Sequence, residues 1–159
     1  MFKTVAACVT ICASIVAATP MQAADRHTGY YYPAPGAIET YKARTIVIAD
    51  ADRKMRLGFI VGITQNMLSQ PYAPRFVIYA KGDDAEKMII VALEDDFIDT
   101  LYRARALLAQ LTAISRTTPL LQELGLADFL TFFDLVKLLG FVQITISDGD
   151  EFTHQILLE

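Results

Sequence analysis

Residues 75–93 read RFVIYAKGDDAEKMIIVAL. Two short β-branched and aromatic runs, 75–80 and 88–93, flank a polar stretch that contains Gly82. That pattern predicts a β-hairpin. A second hairpin is predicted at residues 142–158. Val142, Ile144 and Ile146 share one face of its first strand, and Phe152, His154, Ile156 and Leu158 share one face of its second. Asp148-Gly149 is read as a tight turn between them. Two hairpins separated by helical periodicity exclude an all-helical chain and predict an α+β domain.

Helical spacing fills the intervals. Met55, Phe59, Ile60, Ile63 and Met67 form one apolar stripe, with Asp50 or Asp52 as cap and Pro71 beyond the end. Gly58 and Gly62 on that helix suggest a close approach to a sheet. Phe97, Leu101, Ala104, Leu108, Leu111 and Ile114 make a second stripe, with Glu94, Asp95 and Asp96 expected at its start, where the helix dipole favours acids. Asp99 and Arg103 are spaced for a salt bridge. Thr118-Pro119 opens a short helix that Gly125 ends. Asp128 is expected to cap a last helix with Phe129, Phe132, Phe133, Val136 and Leu139 on one face, ending at Gly140. Residues 40–49 (TYKARTIVIA) are read as a first strand. The predicted order is β-α-β-β-α-α-α-β-β, a single domain with an antiparallel or mixed sheet and helices mainly on one face.

The N-terminus carries an address. Lys3 precedes an apolar run, residues 4–19 (TVAACVTICASIVAAT), and Pro20-Met21-Gln22-Ala23-Ala24 follows. This is the pattern of a cleaved secretory signal peptide. The organisation expected is therefore signal peptide 1–23, extended lead-in 24–37 and one α+β domain 38–159, placed in the periplasm or outside the cell, with no stable membrane span once the signal is removed. Both cysteines, Cys8 and Cys12, fall in the signal, so the mature chain has no thiol chemistry and no disulfide. Losing Lys3 leaves 13 basic against 18 acidic side chains, a charge of −5. That balance argues against a nucleic-acid partner.

Chemistry-bearing patterns are sparse. The sequence contains no G-x-G-x-x-G, no P-loop, no G-x-S-x-G and no H-E-x-x-H. No catalytic residue, cofactor site or metal site is assigned. His154 lies on an apolar strand face, where a histidine is more often a satisfied core residue than a ligand. His27, near Asp25, is a weak metal candidate. Asp83-Asp84-Glu86, Glu94-Asp95-Asp96-Asp99 and Asp148-Asp150-Glu151 offer oxygens but read as turn and capping acids rather than calcium ligands. Arg103, Arg105 and Arg116 could hold an anion together; helix-surface pairing with acids is the simpler reading. Tyr30, Tyr31 and Tyr32 in the lead-in suit a strap across the domain, or a platform for a sugar or peptide.

Four stretches, DRHTGYYYP, LYRARALLAQLTAISRTTPL, TFFDLVKLLGF and ITISDGDEFTHQILLE, together resemble a family of small secreted alphaproteobacterial proteins of unknown function. Its members are often labelled molybdopterin-guanine dinucleotide biosynthesis protein A. The resemblance spans nearly the whole mature chain and transfers no functional residue. The label implies a nucleotidyltransferase using GTP and Mg²⁺, a class with a glycine-rich N-terminal loop that this sequence does not contain. The residues themselves lead to a different expectation: an exported, non-catalytic domain that binds a protein partner or a small ligand. An envelope structural or assembly factor is a further alternative.

The signal-peptide reading predicts that the exported protein begins at Ala24 or Asp25. N-terminal sequencing of the periplasmic fraction checks this; an intact Met1 on protein retained in the cytoplasm would refute it.

Overall fold

The computed structural model describes residues 35–117, 122, 125 and 128–159. Within them the chain runs β1 (Ala37–Tyr41), α1 (Arg53–Leu68), β2 (Phe76–Lys81), β3 (Lys87–Ala92), α2 (Leu101–Ser115), α3 (Phe132–Leu138), β4 (Gln143–Ser147) and β5 (Thr153–Leu158). The five strands form one mixed sheet in the order β1-β5-β4-β3-β2. Both predicted hairpins are present as the antiparallel pairs β2–β3 and β4–β5. Two parallel pairs, β3–β4 and β1–β5, join them into a sheet. The fold is α+β, as the patterning predicts. The short helix expected after Thr118 falls largely outside the described residues.

Strand alternation decides where the core sits. Phe76 and Ile78, Met88 and Ile90, Ile144 and Ile146, and Ile156 and Leu158 project to the same face and are all buried. They form one cluster with Ile60 of α1, Ala104, Leu107, Leu108 and Leu111 of α2, and Phe132, Leu135 and Val136 of α3. Burying a side chain of this size contributes about 1.5–3 kcal/mol. For α3, only seven residues long, packing rather than helix propensity is the main source of stability.

Several local expectations are corrected. The first strand covers Ala37–Tyr41, not residues 40–49. Its ladder with β5 runs out at Leu158, and the chain then follows α3 instead: Ile48 N–H donates to Leu138 O at 3.0 Å. Ile46, in the apolar run, is left exposed. α2 is capped by Thr100, so Glu94–Asp96 lie in turns ahead of it rather than in its first turn. Ile98, fully buried, anchors those turns. Leu107, outside the predicted stripe, is buried, and Ile114, within it, is exposed. α3 is capped by Thr131, not Asp128, through a capping box with Asp134, and Phe129 is exposed outside it. Gly58 and Gly62 of α1 make no close approach: a Cβ at either would meet nothing within 4 Å. The β4–β5 connection is longer than a two-residue turn. It spans residues 148–152, and the Asp148 carboxylate gathers it by accepting from Asp150 N–H at 2.8 Å and Phe152 N–H at 3.0 Å.

Other expectations hold. Asp52 caps α1, accepting from Met55 N–H at 2.7 Å, and Asp99 pairs with Arg103 at 3.0 Å. Gly140 ends α3 in the left-handed region at φ +85°. A Cβ there would lie 2.6 Å from Arg56 Nη1. That guanidinium is buried and bonded to Asp84 O at 2.8 Å, so its room to move is small.

Gly140→Ala is expected to destabilise the domain by at least about 1–2 kcal/mol, the backbone cost of the left-handed conformation alone. Urea unfolding measures it. An unchanged midpoint would mean that Arg56 gives way freely and the turn relaxes.

Candidate functional site

At the β1–β5 edge the sheet, α2 and α3 enclose a cavity of about 330 Å³. β1 supplies Glu39 and Tyr41. Tyr41 sits in register with Leu158 and therefore faces the helices, as does Glu39. α2 contributes Arg105, Leu108, Ala109 and Thr112; Thr131 and Phe133 come from the start of α3; His154 and Ile156 come from β5. Tyr41 and Phe133 stack with ring centroids 4.5 Å apart, and the Tyr41 hydroxyl bonds Thr131 Oγ1 at 3.2 Å. The walls are thus largely apolar, and a polar group sequence runs along one side.

That sequence is Arg105–Glu39–His154. Arg105 Nη2 lies 2.7 Å from Glu39 Oε1, and Glu39 Oε2 lies 3.4 Å from His154 Nε2. Exposure falls along it from 62% to 43% to 2%. The Glu39–His154 distance is within ion-pair range, yet the alignment makes no hydrogen bond. Among the described residues neither ring nitrogen of His154 has a hydrogen-bond partner. A buried polar group left unmatched costs about 1–3 kcal/mol. His154 is therefore in the core, as its strand face suggests, but is not satisfied there. Thr112 is committed elsewhere: its hydroxyl donates to Leu108 O at 2.9 Å and accepts from Phe132 N–H at 3.1 Å.

Next to the cavity, Asp134 fixes the α3 terminus. Its side chain is wholly buried. It accepts from Arg44 N–H at 2.8 Å, from Arg44 Nη2 at 2.8 Å, from Thr131 N–H at 2.9 Å and from the Thr131 hydroxyl at 2.9 Å. Burial pushes the Asp134 carboxyl up, but the donors of Arg44 and Thr131 outweigh it and hold the carboxyl below the usual carboxylate range. Arg44 is held charged more firmly, first by its hydrogen bond to Asp134 and then by the carboxylate's charge.

Two other hollows are larger and lack such a group. One, of about 850 Å³, lies along the start of α1 and is lined by Arg53, Lys54, Arg56 and Asp84. Its one buried cation, Arg56, is bonded to Asp84 O and Leu139 O. The other, of about 450 Å³, lies beside Tyr72 and Phe97, where Arg75 covers the Phe97 ring at 4.2 Å and pairs with Glu94 at 2.6 Å.

The remaining sequence candidates do not converge. Arg103 turns to Asp99 and the Asp96 carbonyl, while Arg105 turns to Glu39, so the arginines hold no anion together. The Glu86 carboxylate accepts from Asp84 N–H at 3.1 Å, within its own turn. Among the described residues no group of three His, Cys, Asp or Glu side chains is placed to hold a metal. No helix among them is long and apolar enough to cross a membrane. His27, Asp25, the three tyrosines Tyr30–Tyr32, Cys8 and Cys12 lie outside the described residues. Glu39 and Tyr41 carried no sequence signal, because only the parallel β1–β5 pairing brings them to His154.

No family model, no curated protein and no solved structure matches this chain.

The lowered Asp134 titration has a defined sign. Its folded value lies below the unfolded one, near 3.9, so its contribution is fully present above about pH 5 and is lost as pH falls through the folded value. The melting temperature is expected to hold from pH 7 to about 5 and then fall, with Asp134→Asn flattening part of that fall. An equal acid response in both proteins would remove Asp134 from the account.

Proposed function

We propose that this chain is an exported, non-catalytic binding domain and that its small-ligand site is the cavity at the β1–β5 edge. The supporting observation is His154, 2% exposed with both ring nitrogens unbonded, lining a cavity beside the Glu39–Arg105 pair. A ligand group that reached the imidazole would satisfy a group the fold leaves idle. The cavity is at the lower end of the ~300–1,000 Å³ usual for small-molecule sites.

The non-catalytic reading follows from the side chains at hand. Of the threonines that line the cavity, Thr112 and Thr131 are engaged in helix and capping hydrogen bonds, Thr40 alternates to the strand face opposite Glu39 and Tyr41, and the mature chain has no cysteine. A histidine and a carboxylate without a free nucleophile suit recognition better than acyl or phosphoryl transfer. Export rests on the N-terminal signal pattern.

A thermal-shift panel on the purified protein tests the reading, with sugars, amino acids, cell-wall fragments, divalent metals and GTP plus Mg²⁺. A ligand at about 100 times its dissociation constant stabilises by about 2.7 kcal/mol. At least one small molecule is expected to shift the wild type and not His154→Phe. A shift confined to GTP with Mg²⁺ and retained in His154→Phe would favour the nucleotidyltransferase alternative. A wholly flat panel would count against a small-ligand site.

A further inference from the structure

We propose that the cavity takes a small zwitterion, a free α-amino acid with an apolar side chain; this rests on the binding-site reading above. Glu39 and Arg105 stand 2.7 Å apart at the cavity's outer side, one carboxylate and one guanidinium, both partly exposed. Opposite charges at that spacing match a ligand whose ammonium and carboxylate sit on one carbon. Binding would exchange one ion pair within the protein for two between protein and ligand. Every charge stays compensated in the exchange, which matters because an unpaired charge in a partly dry site is heavily disfavoured. A plain anion would instead face Glu39, and a plain cation would face Arg105.

The deeper part of the cavity selects the side chain. Leu108 and Ile156, both buried, form an apolar wall with the half-buried Phe133, and Ala109 extends it to the exposed rim. The volume of about 330 Å³ corresponds to about eleven waters at ~30 Å³ each, room for one amino acid of leucine or phenylalanine size. His154 stands between the two regions. Its Nε2 lies 3.4 Å from Glu39 Oε2 without a hydrogen bond, so a Glu39 carboxylate turned toward a ligand ammonium would leave Nε2 to a ligand carboxylate oxygen. Arg105, the most exposed of the three, then clasps the same carboxylate, a pairing its fork of donors favours.

Isothermal titration of the purified protein decides it, using leucine and phenylalanine, 4-methylpentanoate (no amine), isopentylamine (no carboxylate), glucose, and GTP with Mg²⁺. Leucine or phenylalanine is expected to bind at least about ten-fold more tightly than either single-charge analogue, the loss expected when one charged hydrogen bond goes unmade. Glu39→Gln and Arg105→Gln, both at exposed positions, should each weaken binding about ten-fold, and His154→Phe should weaken it while still melting cooperatively. The acid or the amine alone binding as tightly as the amino acid would overturn the zwitterion assignment, as would unchanged binding by Glu39→Gln and Arg105→Gln. If glucose or GTP binds instead, and binding is lost in His154→Phe, the zwitterion falls and the cavity remains a binding site. No heat with any compound overturns both.

Discussion

A single buried carboxylate organises the end of the molecule that matters. Asp134 lies in the first turn of α3 and is wholly shielded from water. A carboxylate there is tolerable only if its oxygens are filled with donors. Five are supplied, two from Thr131 at the start of its own helix and three from Arg44, ninety positions earlier in the chain. The helix start and the segment leaving β1 are therefore fixed by the same atom group. Arg44 is 57% exposed, so water screens its ion pair with Asp134. The backbone N–H bonds carry more of the constraint. Thr45 adds a bond from its hydroxyl to Asp134 O at 2.6 Å.

The cavity follows from that constraint. With residues 44–48 held along α3, β1 is directed against β5 in parallel register, which turns Glu39 and Tyr41 toward the helices. Tyr41 meets Phe133 and Thr131 at the α3 start; Glu39 meets Arg105 across α2. Among the described residues β1 is the edge strand, and α2 presents Ala109 at that point. The result is a space between three elements, with the charged pair outermost and the apolar wall behind it.

The sequence disclosed what is local. Both hairpins, the apolar face of α1, the Asp99–Arg103 pair and the Gly140 stop follow from period, turn chemistry and spacing within a dozen residues. The failures share a cause. The run 46–49, Ile-Val-Ile-Ala, has strand composition, but a strand also needs a partner, and the β5 ladder is already filled by Ala37–Tyr41. Thr131 carries a weaker capping signal in the sequence, because its box closes with aspartate rather than the more familiar glutamate or glutamine. Glu39 gave no sign at all. Its role depends on a parallel pairing between the two ends of the domain, and no local pattern encodes that.

Two buried polar side chains show how differently one fold can treat such groups. Arg56, 7% exposed, has no carboxylate nearby in its bonding; Asp84 O and Leu139 O accept from it, and it ties the β2–β3 turn to the end of α3. Its chemistry is used up by the fold. His154 is buried more completely, and its chemistry is left over. Its neighbours on the strand face are Phe152, Ile156 and Leu158, so a phenylalanine would continue the pattern and fill similar space without orphaned nitrogens. Packing therefore does not explain an imidazole at this position, and backbone geometry does not either, since β5 runs regularly through it. What distinguishes the position is the cavity on one side and the Glu39 carboxylate at its edge. A group that weakens the apo fold and borders a cavity is better matched to a bound state than to the empty one.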